Sequence, residues 1–216
     1  QPLTGIRVTI DECRMQLATD SVPSLEDIKR MTADIDQMLT RATGVVDMIR
    51  SLSREQPPTE ATLFDVNDAV RTVVPLVQPE CAAAGVEVVL DLATESLDCA
   101  GSRQRLEQVL INLLVNARDA LKGADRATRP TVMLTTKCLD SGCQLSIHDN
   151  GPGIPVAIRD RIFDPFFTTK GPDQGMGLGL SLVQAHVRQL GGSIHCSTPS
   201  DGGTTFSLLL PSPPQG

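Results

Sequence analysis

Apolar residues recur every three or four positions through the first part of the chain. Leu3, Ile6, Ile10, Cys13 and Leu17 step by 3, 4, 3 and 4. After the break Asp20-Ser21-Val22-Pro23 the rhythm resumes at Ile28 and continues through Met31, Ile35, Met38, Ala42, Val45 and Ile49 to Leu52. Such a seam predicts two helices joined by a short turn. Ser24 stands as the N-cap of the second, with Asp27 at the position that a capping-box Glu usually fills. Pro57-Pro58 closes the segment. One hairpin cannot bury a continuous seam by itself. Pairing with a second copy predicts a homodimer built on an antiparallel four-helix bundle. The alternative is that the seam packs on the remainder of the same chain.

Beyond residue 58 the pattern changes to short alternating stretches and separate helical ones. Strands are predicted over 61–66, 86–93, 131–138, 143–149, 193–197 and 204–210. Helices are predicted over 67–84, 102–121 and 180–190, with a short one near 156–162. The first of these should bend or end near Pro75 and Pro79, because proline lacks the backbone donor a helix needs. Strands and helices without strict alternation predict an α+β fold: one mixed sheet with helices on one face. The chain therefore divides into a hairpin over 1–57 and a second domain over 58–216, with 54–62 as the hinge.

Composition narrows the function. With 19 basic and 26 acidic residues the net charge is 19 − 26 = −7, which disfavours nucleic acid as a partner because phosphate contacts need clustered Lys and Arg. No run of 18 or more apolar residues occurs, so no direct membrane contact and a cytoplasmic location are expected for this portion. The six cysteines (Cys13, Cys81, Cys99, Cys138, Cys143, Cys196) contain no C-x-x-C pair, and reduced thiols are expected.

Four motifs carry candidate chemistry. Asn112, Asn116 and Asp119 lie 4 and 3 residues apart, on one face of a helix whose other face is leucine-rich. An amide oxygen there suits a hydrated Mg²⁺ that bridges phosphates; a solvated face would more typically carry Lys and Glu. Asp149-Asn150-Gly151-Pro152-Gly153-Ile154 follows a strand. A carboxylate beside such a turn can accept a hydrogen bond from an exocyclic amine, although an ordinary turn would also explain the glycines. Phe163, Phe166 and Phe167 precede Lys170. They are expected to anchor a loop onto the core, with Lys170 facing a phosphate. Gly175-Met176-Gly177-Leu178-Gly179 opens a helix, where free N–H groups and the helix dipole favour an anion.

In this order the motifs resemble the ATP-binding domain of sensor histidine kinases, within the GHKL superfamily of gyrase, Hsp-ninety-type chaperones and mismatch-repair ATPases. Residues 112–120 resemble the N box, 149–153 the G1 box, 162–167 the F box and 175–179 the G2 box; 202–206 resemble the last strand. The resemblance implies the Bergerat fold, with ATP or ADP and Mg²⁺ as ligands. It gives Asp149 the adenine amino group, with Gly151, Gly153, Ile154, Phe163 and Thr204 around the base. Asn116 and Asn112 would hold Mg²⁺ and the phosphates, with Asp119 beside them. Lys170, Gly175, Gly177, Leu178 and Gly179 would cover the phosphate tail. Arg118 reaches phosphate or forms an ion pair with Asp119 or Glu107. ATP-hydrolysing members carry Glu where this chain has Asn112. An amide cannot accept the proton of an attacking water, so phosphoryl transfer to another acceptor is favoured.

The family's phospho-acceptor histidine belongs on the hairpin, yet His148, His186 and His195 all lie outside it. Gln1-Pro2-Leu3 resembles the tail of an H-E-x-x-Q-P-L box, which would put the acceptor just upstream of Gln1. The resemblance implies a protein-histidine kinase core of a two-component system, with a response-regulator receiver domain as partner. The alternatives are a GHKL-type ATPase, a pseudokinase scaffold and a serine kinase of the same superfamily.

Overall fold

The computed structural model describes residues 24, 26–28, 31, 32, 35, 62–122, 129–170, 177–199 and 202–213. The chain falls into two units, Gln1–Arg54 and Glu55–Gly216. In the first, Ser24 and Asp27 form the reciprocal cap that the sequence predicts. The Asp27 N–H donates to Ser24 Oγ at 3.1 Å and Ser24 N–H returns a bond to Asp27 Oδ2 at 3.3 Å. Aspartate therefore does the work of the usual Glu. Of the apolar seam only Ile28, Met31 and Ile35 are described; the rest of it, and with it the expected dimer contact and most of the hinge, lies outside the described residues.

The second unit begins with β1 (Thr62–Asp65), α1 (Val66–Ala83), β2 (Glu87–Asp91), β3 (Asp98–Gly101) and α2 (Arg103–Leu121). It continues with β4 (Thr131–Leu139), β5 (Gly142–Asp149), a 3-10 turn (Val156–Arg161), α3 (Gly179–Gln189), β6 (Ser193–Ser197) and β7 (Thr204–Pro211). Five strands run in the order β2-β4-β5-β7-β6, with only β2 and β4 parallel. The expected mixed sheet is present. A small antiparallel pair, β1 with β3, accompanies it; no strand over 98–101 was predicted there, because four residues ending in glycine carry no period.

Alternation decides which face is covered. On β5, Cys143, Leu145, Ile147 and Asp149 are buried; Phe206, Leu208 and Leu210 on β7 and Val132 and Leu134 on β4 stand in register beside them. The apolar stripes of α1, α2 and α3 pack on this face, as period-2 and period-3.6 patterns require. In α2 the stripe is Leu106, Val109, Leu110, Leu113, Leu114, Ala117 and Leu121, all buried.

Helix α1 does not end at its prolines: it runs through Pro75 and Pro79 for 18 residues. Both prolines are exposed, so the carbonyls they leave unbonded face water. The buried valines at 66, 70, 73, 74 and 77 supply the packing that overrides weak helix propensity. Asp65 caps the helix by accepting from Asn67 N–H at 2.7 Å. Asn67 itself is buried; its amide donates to the carbonyls of Ala93 and Glu95 and its oxygen accepts from Thr136 Oγ1 at 2.8 Å. That network pins α1 to the sheet.

Candidate functional site

The site forms where β5 runs out beneath α2. Asp149 ends the apolar inner stripe of β5 and is only 4% exposed. Burial pushes its carboxyl above the ordinary range, against the opposing pull of bonds from Gly151 and Thr204. Gly151 N–H donates to Asp149 Oδ1 at 3.0 Å, and Thr204 is the direct partner of Asp149 across β5 and β7. Burying a carboxylate without a paired cation costs free energy. Such a group is set up to receive a donor.

The turn after Asp149 is pressed against its neighbours. A Cβ on Gly203, whose φ is +79°, would meet the Asp149 carbonyl oxygen at 1.8 Å, and one on Gly153 would meet the Gly203 oxygen at 2.9 Å. Only glycine lets the two strands' ends close in this way. Gly151 abuts Ala120 and Leu121 at the C-terminal end of α2, which brings the Asp149 turn to the helix that carries Asn112, Asn116 and Asp119. Asn150 is structural: its oxygen accepts from Thr131 N–H at 2.8 Å and its amide donates to the Arg129 carbonyl at 2.9 Å. Ile154 packs on the core and its carbonyl accepts from Arg159 Nε at 3.0 Å. Phe163 stacks edge-on against Phe206, with ring centres 6.4 Å apart.

Asn112 and Asn116 occupy adjacent turns of α2. The Asn112 amide nitrogen is buried with no hydrogen-bond partner. Gly179, the first residue of α3, faces the Asn116 amide: a Cβ there would lie 3.9 Å from Nδ2. The first turn of α3, with its free N–H groups, thus opens beside the asparagine pair. Two neutral carboxamides fit a hydrated Mg²⁺ that arrives with its own phosphate ligands, better than a bare ion that would need carboxylates.

The nearby carboxylate is already engaged. Asp119 Oδ2 accepts from Lys170 Nζ at 2.8 Å, and Oδ1 accepts from Arg118 Nε and Nη2 at 3.1 and 2.9 Å. Burial opposes its ionisation, but the Lys170 and Arg118 bonds and charges outweigh burial and bring the carboxyl down to about 2. Asp119 is consequently an ion-pair hub, and Lys170 faces it rather than open space. Arg118 takes the ion-pair role, with Asp119 and Glu80 as partners; Glu107 pairs with Arg103 instead. Nothing in the local sequence marked Glu80, which reaches Arg118 from α1.

The aromatic motif divides. Phe163 and Phe167 pack against the core, and Arg161 stands 4.7 Å over the Phe167 ring. Phe166, expected to anchor, is 62% exposed at φ +66°. Its turn lets the Phe167 carbonyl press onto Gly177, where a Cβ would come within 2.3 Å. Leu178 is buried behind it. Gly175 lies outside the described residues. His148 hydrogen-bonds Thr205 Oγ1 at 3.0 Å on the outer face of the sheet, and His186 approaches Gln189.

Residues 101–214 match the family model described as "Histidine kinase-, DNA gyrase B-, and HSP90-like ATPase". The chain belongs to this family. Within this ATPase-type family it is 35% identical over 216 residues to the two-component sensor PprA of Pseudomonas aeruginosa, covering 98% of this chain and 23% of PprA. It is 33% identical to the signal transduction histidine-protein kinase AtoS of Escherichia coli, covering all of this chain and 33% of AtoS. The chain thus spans a third or less of these two relatives. Among solved structures, histidine kinase ThkA in complex with the response regulator TrrA superposes with a TM-score of 0.70 at 26% identity, over 99% of this chain and 58% of ThkA.

Proposed function

We propose that this chain binds Mg²⁺·ATP and supplies its γ-phosphoryl group to a histidine of the dimerisation helix, from which it passes to an aspartate of a response-regulator receiver domain. The observation that carries the reading is Asp149: a buried carboxylate at a strand end, bonded by Gly151 and Thr204 and joined through Gly151 to the asparagine helix. Its oxygens would accept the adenine amino group, with Gly151, Gly153, Ile154, Phe163 and Thr204 around the base. Asn112 and Asn116 would hold Mg²⁺ and phosphate oxygens, and the orphaned Asn112 amide would donate to one of them. Bound Mg²⁺ supplies charge neutralisation of the phosphates. Lys170 would exchange Asp119 for phosphate, and the first turn of α3 would donate N–H groups. Gly177, Leu178 and Gly179 would complete that end of the site.

Asn112 supports transfer over hydrolysis, since its amide offers no general base for water. The likeness to PprA, AtoS and the ThkA–TrrA pair supports a two-component kinase, and the apolar seam of the sequence supports a homodimer. No helix among the described residues is long and apolar enough to cross a membrane.

The test uses γ-labelled Mg²⁺·ATP on this chain and on one extended upstream by about two helical turns of the native gene, with Asp149→Ala as control. Acid-labile, base-stable label on the extended chain is the expected result. Free phosphate without protein label would make the chain an ATPase, and absence of nucleotide binding would leave a scaffold.

A further inference from the structure

Outside the nucleotide site the described residues hold one pair of thiols set face to face. Cys138 of β4 and Cys143 of β5 are direct partners in the antiparallel register. The loop between the strands is just Asp140 and Ser141, and this short connection sets the pairing. A slip of one residue would send the two side chains to opposite faces. In register, both continue the inward rows: Val132, Leu134 and Thr136 lead by twos to Cys138, and Asp149, Ile147 and Leu145 lead back to Cys143. Directly opposed residues of an antiparallel pair have Cα atoms about 4.5 or 5.5 Å apart. Either separation falls within the roughly 4.4–6.8 Å that a disulfide spans.

The two thiols differ in access. Cys138 is exposed near the end of the ribbon, where its Sγ lies 4.0 Å from the Leu139 carbonyl. Cys143 is 3% exposed. Both are free thiols in the structure, as is buried Cys99.

We propose that Cys138 and Cys143 form a reversible intrachain disulfide by exchange with a small-molecule disulfide such as oxidised glutathione. The Cys138 thiolate attacks one sulfur of the small disulfide, a protein–glutathione bond forms, and the first glutathione leaves as thiolate. Cys138 then turns its sulfur from Leu139 toward β5. The Cys143 sulfur attacks it, the internal S–S bond forms, and the second glutathione leaves. Two protein thiols are oxidised, one small disulfide is reduced, and the two thiol protons end on the two released glutathiones. Cys138 is the attacking partner because the reagent can reach it. Burial pushes the Cys143 thiol up to about 12, with the Cys99 and Cys138 sulfurs adding to the effect. Cys143 therefore stays protonated toward free reagents and reacts with a sulfur held opposite to it. The bridge would lie at the exposed Cys138, and exposed bridges are the readily reduced ones. The thiols thus persist under reducing conditions and the bond forms on oxidation. Six residues of β5, roughly 20 Å at 3.4 Å per residue, separate Cys143 from Asp149, so the proposal does not depend on the nucleotide site.

The test incubates the whole chain with oxidised glutathione, traps remaining thiols with N-ethylmaleimide and maps peptides by mass spectrometry. The expected result is a Cys138–Cys143 link, the loss of two titratable thiols per chain and their return with dithiothreitol. Cys143→Ala should instead accumulate glutathione stably on Cys138, and Cys138→Ser should leave Cys143 unmodified. A lasting glutathione adduct on Cys138 of the natural chain overturns the proposal, as does a Cys99–Cys143 bridge, a Cys138 bridge between chains, or no loss of thiols. The thiol count and the peptide map of the natural chain together decide the matter even where a core variant folds poorly.

Discussion

The ammonium of Lys170 lies 2.8 Å from Oδ2 of Asp119, 51 residues away in the chain. The same carboxylate also takes both Arg118 bonds. A depressed folded-state value means that Asp119 binds its proton less readily in the native protein than in the unfolded chain. Its stabilising effect is complete above the unfolded value near 4 and is lost as pH falls toward about 2. The difference from 3.8 is worth about 2 kcal/mol. Asp119→Asn should therefore lower stability at pH 7 and flatten the acid limb of the melting-temperature profile between about pH 4 and pH 2. An unchanged acid limb would remove the hub role.

Asn112 offers a test that separates stability from ligand binding. Its amide nitrogen is buried without a partner, a state that costs about 1–3 kcal/mol. Asn112→Ala should leave the nucleotide-free melting temperature unchanged or higher, while the rise produced by Mg²⁺·ADP falls by more than half. A drop in the nucleotide-free chain with the ligand shift intact would contradict both parts.

Gly202 and Gly203 are neighbours with opposite surroundings. Both have positive φ, yet a Cβ on Gly202 meets nothing within 4 Å while one on Gly203 meets the Asp149 carbonyl at 1.8 Å. Gly202→Ala should cost about 1 kcal/mol, from backbone strain alone. Gly203→Ala should cost several times that and weaken nucleotide binding, because β7 must draw back from β5 at Asp149. Urea unfolding and nucleotide titration of the pair give the comparison, and equal costs would refute the packing argument.

Thr136 sits in the core between Asn67 Oδ1 and the Ala93 N–H, at 2.8 Å from each. Thr136→Val keeps the shape and strands both partners, at a cost of about 1–3 kcal/mol. Nucleotide affinity should not change, since the pair lies at the α1 end of the sheet. Calorimetric melting beside a nucleotide titration reads the two effects separately.

Among the described residues of the second unit, every strand and helix other than β3 was legible to within about two residues, from its hydrophobic pattern and the turn, proline and capping signals near it. The Ser24–Asp27 cap was legible for the same local reason. The motif order located Asn112, Asn116, Asp149 and the glycines, whose chemistry is written in residue type and spacing. Continuation of α1 through Pro75 and Pro79 was not, since which face a proline presents depends on what packs against the helix.

Pairings between distant segments lay further out of reach. Lys170 belongs to Asp119, Arg118 to Glu80 and Asn67 to Thr136, and no local pattern chooses among the many charges and amides available. The same holds for Phe166, which turns outward while Phe163 and Phe167 turn in. Local periodicity and turn chemistry set the elements and the residue types of the site. Long-range packing set the partners, because a hydrogen bond or ion pair is chosen by separation in space, and that separation exists only once the sheet and its helices have closed.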